Sequence, residues 1–140
     1  AGGFPDHDTE ARFQTLCSRH PESIRHAGFV TGDAKSRLLA ASDCLCLPTR
    51  YPHEAQPLVL LEAMAHDLPV IATDWRGIAE TLPPKLSIVI PPSDLTALTT
   101  VLGNLPHILP PAGSLRRYFL DHHTRERHLQ QLATALRAIN

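Results

Sequence analysis

The chain has 140 residues, with 43% hydrophobic and 19% charged side chains and a formal net charge of −1. That balance fits one globular domain able to bury a core without a structural metal, and it excludes a disordered or fibrous chain. No stretch approaches the ~20 apolar residues of a spanning helix, and the scarce aromatics are not interleaved with basic runs as nucleic-acid binding would ask.

Taken along the chain, Ala1-Gly2-Gly3-Phe4-Pro5 reads as the end of a strand running into a loop and not as a signal peptide, so the sequence is expected to be an excised piece. Helices are expected near Asp8 to Arg19, Asp33 to Ala41, Pro57 to His66 and Gly77 to Leu82. Between them, short runs rich in Val, Ile and Leu predict strands over Ile24 to Val30, Cys44 to Leu47, Val70 to Thr73 and Ser87 to Ile90. The alternation gives the fold class: α/β, a Rossmann-like three-layer domain with a parallel sheet flanked by helices. Ser93-Asp94 supplies a cap for a further helix through about Leu105, and Pro106 to Gly113 is expected to break it. In the last region, Leu115 to Ile139, apolar residues at Leu129, Leu132, Leu136 and Ile139 form a stripe that must pack against something.

Charge is unevenly spread: residues 114 to 140 carry five basic side chains (Arg116, Arg117, Arg125, Arg127, Arg137) against two acidic ones, on an otherwise acidic body. The tail reads as a solvated helix face, or as a surface for anionic lipid or for the rest of a larger enzyme. Three cysteines, Cys17, Cys44 and Cys46, are odd in number and point to a reducing, cytoplasmic setting without a disulfide framework. His122-His123 lacks the paired Cys-x-x-Cys or His-Glu-x-x-His that would complete a zinc shell, so no metal is expected.

The chemistry concentrates between Leu47 and Ala65. This segment leaves a strand, crosses a loop and enters a helix, with Pro57 suited to the first helical turn. The free N–H groups of Ala55, Gln56 and Leu58 then gather at a helix N-terminus beyond the carboxyl end of a parallel strand, a setting that favours an anionic ligand. Glu62 stands among Leu58, Val59, Leu60, Leu61, Ala63, Met64 and Ala65, so a largely buried carboxylate is expected that needs a partner. His66, Arg50, Arg76 or the vicinal hydroxyls of a ribose could supply one. Glu54, eight residues earlier in the loop, can line the same crevice.

The ordered run Glu54 to Glu62, Ala63-Met64-Ala65, Leu68-Pro69-Val70-Ile71-Ala72-Thr73 and Arg76-Gly77-Ile78-Ala79-Glu80, preceded by Ala41-Ser42-Asp43 and Leu47-Pro48-Thr49, resembles the group 1 family of retaining glycosyltransferases with the GT-B fold. The resemblance covers roughly Ile24 to Leu105 and implies that residues 1–140 are the donor-binding, C-terminal half of such an enzyme, with an N-terminal acceptor domain outside the chain. It implies that Glu54 is the catalytic-site carboxylate at the donor sugar and that Glu62 contacts the ribose. Ala55, Gln56 and Leu58 would offer backbone N–H groups to sugar and pyrophosphate, and Phe29 and Val30 would border the nucleobase; Thr49 belongs to the same expected site, and Gly77, at a second helix N-terminus after Val70 to Thr73, reads either as part of a phosphate cradle or as a tight turn. The implied donor is a nucleotide-diphosphate sugar, used without metal or other cofactor. The acceptor would be a glycan or a lipid-linked molecule of cell-envelope polysaccharide synthesis, reached from the cytoplasm at the inner face of a membrane.

Three departures from the family pattern stand out. No basic pair precedes Arg12, although the family grips the diphosphate with one near the start of this domain. Arg76-Gly77 replaces a Gly-Gly pair, and Pro57 replaces a glycine, removing one backbone donor. Two other readings stay open: a sugar-nucleotide epimerase of the same architecture, and a signalling receiver module with Asp74 as phosphoacceptor. The second lacks the acidic pair after a first strand and the Lys after a late one, since Ser87 to Ile90 runs into Pro91-Pro92.

Overall fold

The structure, a computed structural model, describes residues 1–139; Asn140, the last residue of the expected domain, lies outside the described residues. The chain divides into two units, residues 1–38 and residues 39 onward.

In the first unit, helix α1 (His7–Arg19) begins at Asp6, whose carboxylate accepts the Thr9 N–H at 2.7 Å. That bond, above all, holds the exposed Asp6 carboxyl below its ordinary value. Phe4, Phe13 and His26 cluster with ring centroids 4.8–5.5 Å apart, and the His26 Nε2–H donates to the Gly2 carbonyl at 2.8 Å. Helix α2 (Gly32–Ala40) follows and runs across the division, and its Leu39, a residue of the second unit, is buried in that unit's core. The strand expected over Ile24 to Val30 does not form. Gly28 takes a φ of 66°, which breaks the extended run in its middle, and the Gly2 N–H to Gly28 carbonyl bond at 2.8 Å is not continued into a ladder. The apolar residues Ile24, Ala27 and Val30 therefore have no sheet face to bury.

The second unit is built on three parallel strands, β1 (Leu45–Leu47), β2 (Val70–Thr73) and β3 (Ile88–Ile90), in the order β1-β2-β3. All four residues of the central β2, Val70-Ile71-Ala72-Thr73, are buried, as expected of a strand covered on both faces. Helix α3 (Leu58–Ala65) crosses from β1 to β2, and the short α4 (Ile78–Thr81) crosses from β2 to β3. Leu60, Ala63 and Met64 of α3, all at 0% exposure, form the centre of the core with Val70, Ile78 and Leu115. Helix α5 (Leu95–Ile108) starts at Asp94, which accepts the Ala97 N–H at 2.8 Å. The break expected at Pro106 comes later: the proline sits inside α5, omitting one helical bond, and the chain turns extended only at Leu109, the residue before Pro110.

The last region is two helices, α6 (Ser114–His122) and α7 (Arg125–Arg137), separated where Thr124 caps α7 by accepting the Arg127 N–H. Leu129, Leu132, Leu136 and Ile139 are 46–81% exposed, so the apolar stripe is uncovered within this chain. What fixes α6 is Asp67. Helix α3 ends in a left-handed turn in which the Asp67 N–H reaches the Met64 carbonyl and the Leu68 N–H reaches Ala63, with Asp67 at φ 58°. From there its carboxylate accepts the N–H groups of Gly113, Leu115 and Arg116, while the Arg116 guanidinium donates back to the Ala65 carbonyl at 2.7 Å. The C-terminus of α3 and the N-terminus of α6 thus satisfy each other's open backbone groups.

Candidate functional site

The loops that follow β1, β2 and β3 meet at the carboxyl edge of the sheet, where ligands of open parallel α/β sheets bind. They are tied to one another by hydrogen bonds from residues far apart in sequence. The Thr73 hydroxyl donates to the Thr49 carbonyl at 2.6 Å, and the Trp75 Nε1–H donates to the Tyr51 carbonyl at 2.8 Å. The Arg50 guanidinium donates to the Ser93 hydroxyl at 2.9 Å, and the Asp74 N–H to the Ile90 carbonyl at 2.8 Å. Between these loops and the start of α5 lies a cavity of about 340 Å³, lined in part by Arg50, Thr73, Ser93 and Asp94.

The loop from β1 to α3 is folded on itself. The Thr49 hydroxyl oxygen accepts the Tyr51 N–H at 3.0 Å, and the Glu54 N–H donates to the Tyr51 carbonyl at 3.1 Å. Thr49, expected to contact substrate, also shapes this turn. Glu54 is half-buried; Ala55 and Gln56 are exposed, and Leu58 is 69% exposed. Among the described residues the N–H groups of Ala55, Gln56 and Leu58 donate to no protein acceptor. They stand at the N-terminus of α3, whose dipole places partial positive charge there.

Glu62 lies one helix face away from the fully buried Leu60, Ala63 and Met64 and is half-buried, less enclosed than its apolar neighbours in sequence suggest. Its face of α3 is covered less completely than the opposite one. The His66 ring, one of the expected partners, bonds the Glu62 backbone carbonyl at 2.8 Å. Phe29, 84% exposed, and Val30 belong to the first unit.

Gly77 is set by close approach and not by its own φ. A Cβ there would meet the Ala55 carbonyl oxygen at 3.0 Å, so the loops after β1 and β2 touch backbone to backbone at this point. Gly77→Ala is expected to force them apart by a few tenths of an ångström and to destabilise the unit by about 1 kcal/mol. Displaced Ala55 and Gln56 amide resonances together with a lowered urea midpoint would register it; unchanged resonances would show that the contact is dispensable.

Next to Gly77, Arg76 adopts φ 52° and Ser93, on the neighbouring loop, φ 66°. Non-glycine residues in the left-handed region concentrate where a site over-determines the backbone. The Arg76 guanidinium lies 5.8 Å from the Trp75 ring centroid, and the Tyr51 and His53 rings meet edge to face at 5.6 Å. The rim thus carries two cations, Arg50 and Arg76, and an aromatic surface beside open N–H donors, which suits an anion joined to a ring. Neither the Arg50–Ser93 bond nor the Trp75–Tyr51 bond carries a local signal, since 43 and 24 residues separate the partners. Among the described residues no group of three or more His, Cys, Asp or Glu side chains is placed to hold a metal.

The family model described as Glycosyl transferases group 1 matches residues 1–106. No curated protein matches the sequence significantly. Among solved structures the chain is similar to sucrose-phosphate synthase from Thermosynechococcus elongatus, with a TM-score of 0.68 and 23% identity over 99% of this chain. It spans 38% of the length of that synthase. The likeness shows the fold, a parallel sheet flanked by helices as in one Rossmann-like half of a GT-B enzyme.

Proposed function

Because the chain belongs to the group 1 glycosyltransferases, we propose that it is the donor-binding half of a retaining enzyme that moves a sugar from a nucleotide-diphosphate sugar to a glycan or lipid-linked acceptor. The observation that carries this reading is the set of open N–H groups of Ala55, Gln56 and Leu58 at the N-terminus of α3. When the bond between sugar C1 and the β-phosphate oxygen breaks, negative charge grows on the departing diphosphate. Fixed backbone donors and a helix dipole stabilise that charge without a metal. Glu54, in the loop before these donors, holds the hydroxyls of the transferring sugar, and Glu62, two turns into α3, takes the ribose. Thr49 and Gly77 keep the two loops at the spacing the donor needs. The acceptor belongs to another half of the enzyme, and the uncovered apolar stripe of α7 is a face for that half.

Without the opposing half, this chain is expected to bind nucleoside diphosphate weakly and to transfer nothing. A dissociation constant near millimolar, on the order of −4 kcal/mol, is the expected result. Titration with uridine, guanosine and adenosine diphosphates, followed by amide NMR, checks it. Saturating shifts at residues 49–62 and 75–77 support the reading, and no shifts there at high ligand would overturn it. Product analysis on the full-length enzyme separates transfer from epimerisation.

A further inference from the structure

A second concentration of ligand-binding side chains lies at the junction of α6 and α7, away from the cavity beside Arg50. A crevice of about 520 Å³ runs between the start of α3 and this junction, lined by, among others, Gln56, His122, His123, Arg125 and His128. No acidic side chain lines it, whereas an arginine and three histidines do. Arg125 forms no ion pair among the described residues.

Two of the histidine rings are held in place. Tyr118 stacks on His122 at 4.2 Å, and His123 packs against Tyr118 at 5.6 Å and against His122 at 6.3 Å. A carbonyl can only accept, so the His122 Nδ1, 2.9 Å from the Tyr118 carbonyl, carries a hydrogen. Its Nε2 is then the ring nitrogen left for a ligand: as an imidazolium it donates to a phosphate oxygen, and as a neutral imidazole it accepts the P–OH of a monoanion. The His123 Nε2 is closed off from solvent with no hydrogen-bond partner among the described residues. Burial, and then the neighbouring His122, hold the His123 ring below the ordinary histidine value. His123 is thus a neutral wall of the crevice, not one of its charges.

We propose that this crevice is a binding site for a phosphate monoester group, with Arg125 as its permanent charge and His122, His128 and the Gln56 amide as hydrogen-bonding partners. A guanidinium matches two phosphate oxygens at once, and imidazole and amide groups complete a shell around the third. The site takes either a small phosphorylated molecule or the headgroup of a phosphate-bearing lipid.

Titration of the chain with inorganic phosphate, read on the His122 and His128 ring signals by NMR, tests the site. Saturable shifts are expected, weakened about tenfold by Arg125→Gln and by His128→Asn. Both side chains are exposed, so neither substitution disturbs packing. Sedimentation with phosphatidylcholine vesicles carrying phosphatidic acid separates the sources. Phosphate shifts without sedimentation assign a soluble monoester, and sedimentation that free phosphate competes away assigns a headgroup. The proposal is overturned if phosphate moves the Ala55 and Leu58 amides but not the His122 and His128 ring signals, or if Arg125→Gln leaves the ring shifts unchanged.

Discussion

Asp67→Ala is expected to destabilise the second unit by about 3 kcal/mol, from two separable effects. The carboxylate accepts the N–H groups of Gly113, Leu115 and Arg116, and leaving such donors without a partner costs about 2 kcal/mol. The backbone at φ 58° adds about 1 kcal/mol for a residue with a Cβ and no local polar group. Asp67→Gly removes the second effect alone and should fall near 2 kcal/mol. Asp67→Asn keeps an acceptor oxygen and a side chain at ease in the left-handed region, so about 1 kcal/mol is expected. Urea unfolding with a common slope measures the series. Equal losses for alanine and glycine would show that the turn carries no strain, and a harmless alanine would remove Asp67 from the account of what holds α6.

In the complete enzyme, Glu54→Ala is expected to lower kcat about 100-fold with little change in KM for the donor, whereas Glu62→Ala raises that KM about 30-fold and leaves kcat nearly intact. The asymmetry follows from the roles proposed for the two acids. Contacts to the ribose are the same in the ground state and the transition state, so their loss is a loss of binding alone. A carboxylate at the hydroxyls of the sugar being transferred acts where charge and geometry change, and its loss is felt in turnover, at about 2.7 kcal/mol. Initial-rate kinetics over a range of donor concentrations separate the two. If both substitutions altered only KM, Glu54 would be a binding residue and no more.

Much of this architecture is readable from residue order, and the exceptions have physical causes. Val70 to Thr73 forms the strand its composition predicts, because a β-branched run that is buried on both faces has few alternatives. Pro57 and the apolar run after it place the start of α3 to within a residue. Ile24 to Val30 misleads because its apolar spacing is genuine while Gly28 turns left-handed in its middle. Asp67 gives no local sign of its double role: glycine is the usual residue at such a turn, and the amides it caps lie 46–49 residues further on. Glu62 shows the limit of reasoning from neighbours, since a one-sided helix leaves a face on which a carboxylate remains half-exposed.

The tie between the loops after β1 and β2 also decides where variation can be tolerated. The Trp75 indole on the Tyr51 carbonyl and the Gly77 backbone against Ala55 fasten the rim at two points, whereas the side chains of His53, Gln56 and Arg76 are exposed. A library aimed at a new preference at the proposed donor site is therefore best confined to those three positions. At Arg76, where φ is 52°, it should be weighted toward glycine, asparagine and aspartate. Randomising Trp75 or Gly77 would instead spend most clones on misfolded rims.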